Sequence, residues 1–222
     1  MAKSKDLKTV ERPLKISLGK LEIARENPKA LAQALYANDG GGGNKSFIGC
    51  LKNVVRSYHE NRETESLALN RLNEKLAITF NSTKENIEKS KRFCDSFIHY
   101  AEEYSKLEIG IDRFQVNLNW ELQPKRILTG HSPFLCSNEE INIAYFFQEK
   151  SNNWDQQLKF PLLQIYLSEK FYKCEVEKTK VGIYNVADKK FEFRCYEDFE
   201  LDNALEEAKS IFKNVKLELD KI

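Results

Sequence analysis

Apolar positions in the first half of the chain recur at helical spacing, and in the second half they alternate. In "ISLGKLEIARENPKALAQALYAND", Leu18, Leu21 and Ile23 form a stripe, Ser17 is a plausible N-cap and Pro28 breaks the pattern. "SFIGCLKNVVRSYHE" places Phe47, Ile48, Leu51, Val54, Val55 and Tyr58 on one helical side. Leu67, Leu69, Leu72 and Leu76 continue the period. "NSTKENIEKSKRFCDSFIHYAEEYSKLE" opens with Ser82 followed three residues later by Glu85, a capping signature. Ile87, Phe93, Phe97, Ile98 and Tyr104 then line one side of that helix.

From "DRFQVNLNWEL" onward the period changes to two: Phe114, Val116, Leu118 and Trp120 share a face. "KRILTGHSPFLC" predicts a second strand interrupted at Gly130 and Pro133, and "INIAYFF" a third. "NNWDQQLKFPLLQIYLSEKF" reads as helical despite Pro161. "YKCEVEKTKVGIYNV" and "KKFEFRCYE" predict two more strands, and Asp202 a cap for a last helix with Ala204, Leu205, Ala208, Ile211, Phe212 and Val215 inward. The expected order is helices, then β-β-β-α-β-β-α. This divides the chain into a polar tail over 1–13, a helical region over 14–107 and an α/β core over 108–222, within one compact domain.

Composition narrows the functional classes. The 222 residues are 41% hydrophobic and 31% charged, enough for a core under a solvated surface. A net charge of +1 offers no chain-wide electrostatic case for nucleic acid or membrane, so a basic groove must be local. No apolar run approaches a membrane span, and the charged N-terminus lacks an apolar signal core, which points to the cytoplasm. Five cysteines scattered singly, with no CxxC, predict reduced thiols and no zinc site. His59, His99 and His131 are unpaired at ligand spacing, and the aromatics, spread over apolar faces, read as core. The glycine run at 40–44 reads as a flexible loop.

Several stretches resemble the PD-(D/E)XK nuclease superfamily in its RecB-like and lambda-exonuclease-like branch. "LKISLGKLEIARENPKALAQAL" is similar to the helical opening of that branch. "IGCLKNVVRSYH" resembles its Gly-x-x-His helix start, with Gly49 present and Lys52 at the place of the His. "LTGHSPFL" resembles its Gly-x-hydrophobic-Asp strand: Gly130 matches and Pro133 stands where a metal-binding Asp belongs. "AYFFQEKS" resembles the (D/E)-x-K strand end, with Lys150 at the Lys and Gln148 at the acid. The segment with Gln164 and Tyr166 is similar to a later Gln/Tyr helix, although the two are two apart instead of four.

The resemblance implies a mixed central β-sheet of the PD-(D/E)XK nuclease-like type with an N-terminal helical region. It also implies nucleic acid as the partner, DNA ahead of RNA, within a multi-protein DNA-processing or defence assembly. Members hydrolyse phosphodiesters with Mg²⁺ or Mn²⁺, whose acidic ligands let the metal activate a water. Pro133 cannot replace a carboxylate, and a Gln148 carbonyl ligates without neutralising charge. The expectation is therefore a catalytically impaired relative. Were it active, Gln148 and Glu149 would serve the metal and Lys150 the water. On an extended strand, however, Glu149 points away from Gln148 and Lys150. Gly130, Gln164 and Tyr166 would contact nucleic acid or support the site, and Lys52, Arg56 and Arg62, by their helical spacing, would make a phosphate-facing stripe.

Plainer readings stand beside these. Gln148 and Lys150 also read as polar residues at a strand end, Gly130 as a bend and Tyr166 as core. Lys52, Arg56 and Arg62 also read as a solvated helix face. A non-enzymatic protein-interaction domain remains open. The nuclease kinship requires the Lys150 amine to open into a cleft beside the glycine-bearing strand; an amine on an open outer surface, or a middle of the molecule built purely from helices, removes it.

Overall fold

The computed structural model describes residues 12–37, 45–131, 134–150 and 153–222. The tail before Arg12, the glycine run at 40–44 and Pro133 lie outside the described residues. In chain order the elements are β1 (Leu14–Ser17), α1 (Leu21–Glu26), α2 (Pro28–Tyr36), α3 (Phe47–Glu60), α4 (Glu65–Thr79) and α5 (Lys84–Ser105). Then come β2 (Gly110–Arg113), β3 (Asn117–Gln123), β4 (Arg126–His131), β5 (Phe134–Ser137) and β6 (Asn142–Gln148). The chain ends with α6 (Lys159–Tyr166), β7 (Thr179–Asn185), β8 (Lys190–Arg194) and α7 (Asp198–Leu219).

The protein is mixed α/β. One sheet has the order β1-β4-β3 and the other β2-β5-β6-β7-β8. β3 and β4 are antiparallel, as are β5 and β6, whereas β6 and β7 run parallel and are joined through α6. Alternation along the strands sorts their side chains into two cores. Ile143, Tyr145 and Phe147 of β6 and Phe134 and Cys136 of β5 pack with Leu51, Val55, Phe93, Phe97 and Tyr100 of α3 and α5. Ala144, Leu135, Val181 and Ile183 face the other way, toward Leu162, Leu163, Ala208, Ile211 and Phe212 of α6 and α7. The larger sheet thus lies between two helical layers.

Several expectations about the elements are corrected. The segment from Leu14 begins as a strand, paired in parallel with β4 over Leu14↔Arg126 to Ser17↔Thr129. The N-terminal region therefore contributes to the smaller sheet and is not wholly helical. Ser17 makes no side-chain cap bond. Pro28 starts a helix at its first turn, where a missing N–H costs nothing, and the Asn27 side chain accepts from the Ala30 amide at 3.0 Å. Thr83, not Ser82, caps α5 by accepting from Asn86 N at 3.2 Å. The last helix begins ahead of Asp202, at Asp198, where Glu197 and Glu200 form a reciprocal capping box. Ile87, expected inward, is exposed. Pro161 is the third residue of α6, whose amide would have no intrahelical partner.

One glycine sets an inter-strand distance. A Cβ on Gly182 in β7 would lie 1.9 Å from the Glu192 carbonyl oxygen of β8.

Candidate functional site

A cleft of about 240 Å³ opens where the two sheets part. α3 contributes Gly49, Lys52, Asn53 and Arg56 to one wall. The link between β2 and β3 contributes Phe114 and Gln115, the end of β4 His131, and β5 and β6 contribute Phe134, Tyr145 and Phe146. No carboxylate is among the described lining residues.

α3 brings its residues here because Ser46 caps it, accepting the Gly49 amide at 3.0 Å, while Leu51, Val54 and Val55 are buried. Lys52 and Arg56, one turn apart, stay exposed at the cleft. Partial desolvation holds the Lys52 ammonium below the usual lysine range. Arg56 Nε pairs with Glu60 at 2.7 Å, and its guanidinium lies 5.7 Å from the Phe114 ring centre. His131 Nδ1 is 2.8 Å from Gln115 Nε2 and 3.0 Å from Asn117 Oδ1; one tautomer satisfies one of these contacts as the amides are oriented. On the floor, Phe134 and Tyr145 stack with ring centres 5.4 Å apart. Phe114 meets Phe134 edge-on at 5.7 Å.

Behind the floor runs a buried polar chain. The Tyr145 and Tyr100 hydroxyls are 2.7 Å apart, and Tyr100 Oη is 2.8 Å from His59 Nε2. Both tyrosines are fully buried. Burial raises their phenol pKa values well above the usual range and lowers that of His59 to about 4. These hydroxyls therefore stay protonated and act as hydrogen-bonding groups.

The residues singled out by the resemblance do not converge. Gln148 ends β6, half-buried, opposite Asn185. Lys150 is exposed and does not line the cleft. Gly130 lies on β4, which pairs with β3 and β1; β6 is paired with β5 instead. Gly130 has φ 153, and a Cβ there would meet Leu18 at 3.4 Å, so it marks close packing at the bend. Glu149 is held on the α5 side by Lys89 at 2.9 Å and by Arg92. Burial opposes its ionisation, but these two cations outweigh that and keep its carboxyl below the usual range.

Gln164 is fully buried and saturated: Nε2 donates to Val176 O and Tyr196 O at 3.2 Å each, and Oε1 accepts from Tyr196 N at 2.8 Å. It ties α6 to the chain around β7 and β8 and is not among the residues that line the cleft. Tyr166 packs 5.9 Å from Trp120 against the α6–α7 core. Arg62 falls beyond α3, with φ 51 in the turn before α4. Of the expected nucleic-acid-contacting residues, Lys52 and Arg56 line the cleft, together with the helix-start Gly49.

Sequence reading did not place Phe114, Phe146, Gln115 and His131 together. The aromatics are mostly core, as expected, but Phe114 and Phe146 remain half-buried at the cleft. Among the described residues no group of three or more His, Cys, Asp and Glu side chains is placed to hold a metal ion. With Glu149 between two cations and Gln148 neutral, the donors at the β6 end do not fit a Mg²⁺ or Mn²⁺ site. No helix among the described residues is long and apolar enough to cross a membrane.

No family model matches the chain, and no curated protein matches it. Among solved structures it is similar to the one titled "Crystal structure of SSO0001", with 12% identity and a TM-score of 0.29, over 86% of this chain and 84% of that one. A likeness at that score carries no argument about fold or function.

Proposed function

We propose that this chain binds nucleic acid through the cleft at the sheet junction and does not cleave it. The observation that carries the reading is the cleft lining, in which Lys52 and Arg56 stand beside amides and aromatic rings with no carboxylate among the described lining residues, Glu60 pairing with Arg56 from outside it. Such a lining attracts phosphodiesters, whose affinity derives largely from cation contacts. The succession β3, β4, β5, β6, α6, β7 along the chain, with β6 and β7 parallel, is the one a PD-(D/E)XK-like framework uses, although glycine-bearing β4 lies in the other sheet from β6. At the level of residues that kinship is weak: Lys150 is exposed outside the cleft and Glu149 is already paired. Loss of catalysis follows from those identities. Membership of a DNA-processing or defence assembly rests on the resemblance alone.

Binding of fluorescent DNA, followed by anisotropy between about 50 and 200 mM salt, tests the proposal. Affinity is expected to fall with salt, and Lys52→Glu to lower both affinity and the salt slope, with the DNA intact after incubation in Mg²⁺ or Mn²⁺. Absence of salt-sensitive binding overturns the reading. Metal-dependent cleavage abolished by Lys150→Ala overturns its non-catalytic part.

A second reading, a protein-interaction module, is favoured by Leu67, Ile78 and Ile87, which leave α4 and α5 with exposed apolar side chains.

A further inference from the structure

We infer that the cleft takes an unpaired nucleotide, with its base stacked on the Phe114 ring and its phosphate at the α3 cations. This inference rests on the nucleic-acid reading and specifies the form of the ligand. Phe114 is half-buried and lines the cleft, whereas the Phe146 ring packs on the other side of β6, 5.8 Å from Phe160 and with Lys159 Nζ 5.1 Å from its centre. The Arg56 guanidinium extends the Phe114 ring surface with a cation. A base in a duplex has both faces covered by its neighbours and cannot present one to this ring. An unpaired base can, and stacking of this kind dominates single-strand recognition.

The dimensions and polar groups agree. A cavity of about 240 Å³ is smaller than the roughly 300–1,000 Å³ typical of pockets for drug-sized ligands. It suits one base, not a base pair. Lys52 lines it, no described lining residue is acidic, and the lysine ammonium can meet a phosphate. The Gln115 amide, the His131 ring and Asn53 supply hydrogen-bonding groups of both kinds for a base edge. Nothing in this set reads a 2′-hydroxyl specifically, so the ligand class is an unpaired nucleotide of either sugar.

Anisotropy with the full chain distinguishes the possibilities. The probes are an oligothymidylate of about twelve nucleotides, within the site sizes of single-strand binders, an abasic strand of equal length and charge, and the blunt duplex. The base-bearing single strand is expected to bind about tenfold more tightly than the abasic strand, as stacking of one base implies. Phe114→Ala, and Phe114→Leu, which keeps apolar bulk but removes the flat ring, should each erase that difference and leave abasic binding unchanged. Lys52→Glu should weaken all three probes. Equal binding of base-bearing and abasic strands, or duplex binding as tight as single-strand binding, overturns the inference and leaves the nucleic-acid reading intact. Failure of every probe to bind overturns both.

Discussion

The hydroxyls of Tyr100, on α5, and Tyr145, on β6, meet at 2.7 Å in the core, and His59 of α3 completes the chain. Three elements distant in sequence are thereby tied by a polar link in an otherwise apolar interior. Phe147 and Phe191 pack around it, with Phe191 edge-on to the Tyr145 ring at 5.1 Å. Because Tyr145 also lines the cleft floor, this link sets the floor's position relative to α3.

Removing one hydroxyl leaves its partner buried and short of a hydrogen bond. Tyr100→Phe is expected to cost about 1–3 kcal/mol, since Tyr100 Oη serves both neighbours. Tyr145→Phe should cost less, because Tyr100 keeps His59. Urea denaturation of the two variants and of the double variant measures the costs, and the double should cost less than their sum.

His59 is neutral in the folded protein, with its pKa lowered to about 4 by burial from an ordinary value near 6.5. Between those values the unfolded chain binds more protons than the native state. Stability therefore declines as pH falls from about 6.5 toward 4, by roughly 3 kcal/mol at most, and the contribution is constant above that window. Denaturation at pH 7.5 and about 4.5 should show this decline, and His59→Gln should remove most of it.

The two cations on Glu149 make it a link between the end of β6 and α5. Its carboxyl is held below the usual range, so the stability it contributes is present above that range and is lost as pH falls through the lowered folded value. Glu149→Gln should cost about 1 kcal/mol or less at neutral pH, as expected for a partly exposed pair. It should leave DNA affinity unchanged. A loss of affinity out of proportion to stability would give Glu149 a role in binding that its partners argue against.

Gln164→Leu should destabilise by roughly 2–4 kcal/mol, because it strands the Tyr196 amide and two carbonyls in the core. Protein that remains folded should bind DNA with wild-type affinity. This outcome separates a packing role from the site-supporting role that the resemblance implies.

Gly182→Ala places a methyl group 1.9 Å from the Glu192 carbonyl oxygen, which only backbone movement can relieve. A cost of about 3 kcal/mol or more is expected, visible as a lowered Tm. Gly19, whose added Cβ would meet nothing within 4 Å, is a matched control.

The amino-acid order by itself determined most of the helices and strands, though not all of their starts. Helical spacing from Phe47 to Tyr104 and alternation through Leu118, Tyr145 and Phe193 express how each segment hides one face, a property of neighbours along the chain. The capping pairs were harder to read, because Ser82 and Thr83 compete for one helix start, as do Glu197 and Asp202. Only tertiary structure decided that Leu14–Ser17 joins β4, that Glu149 is taken by α5 and that Gln164 is a buried clamp. It also brought Lys52, Phe114, His131 and Phe146 to one cleft. Those relationships depend on contacts between segments far apart in sequence, and hydrophobic period reports which face is buried without reporting against what.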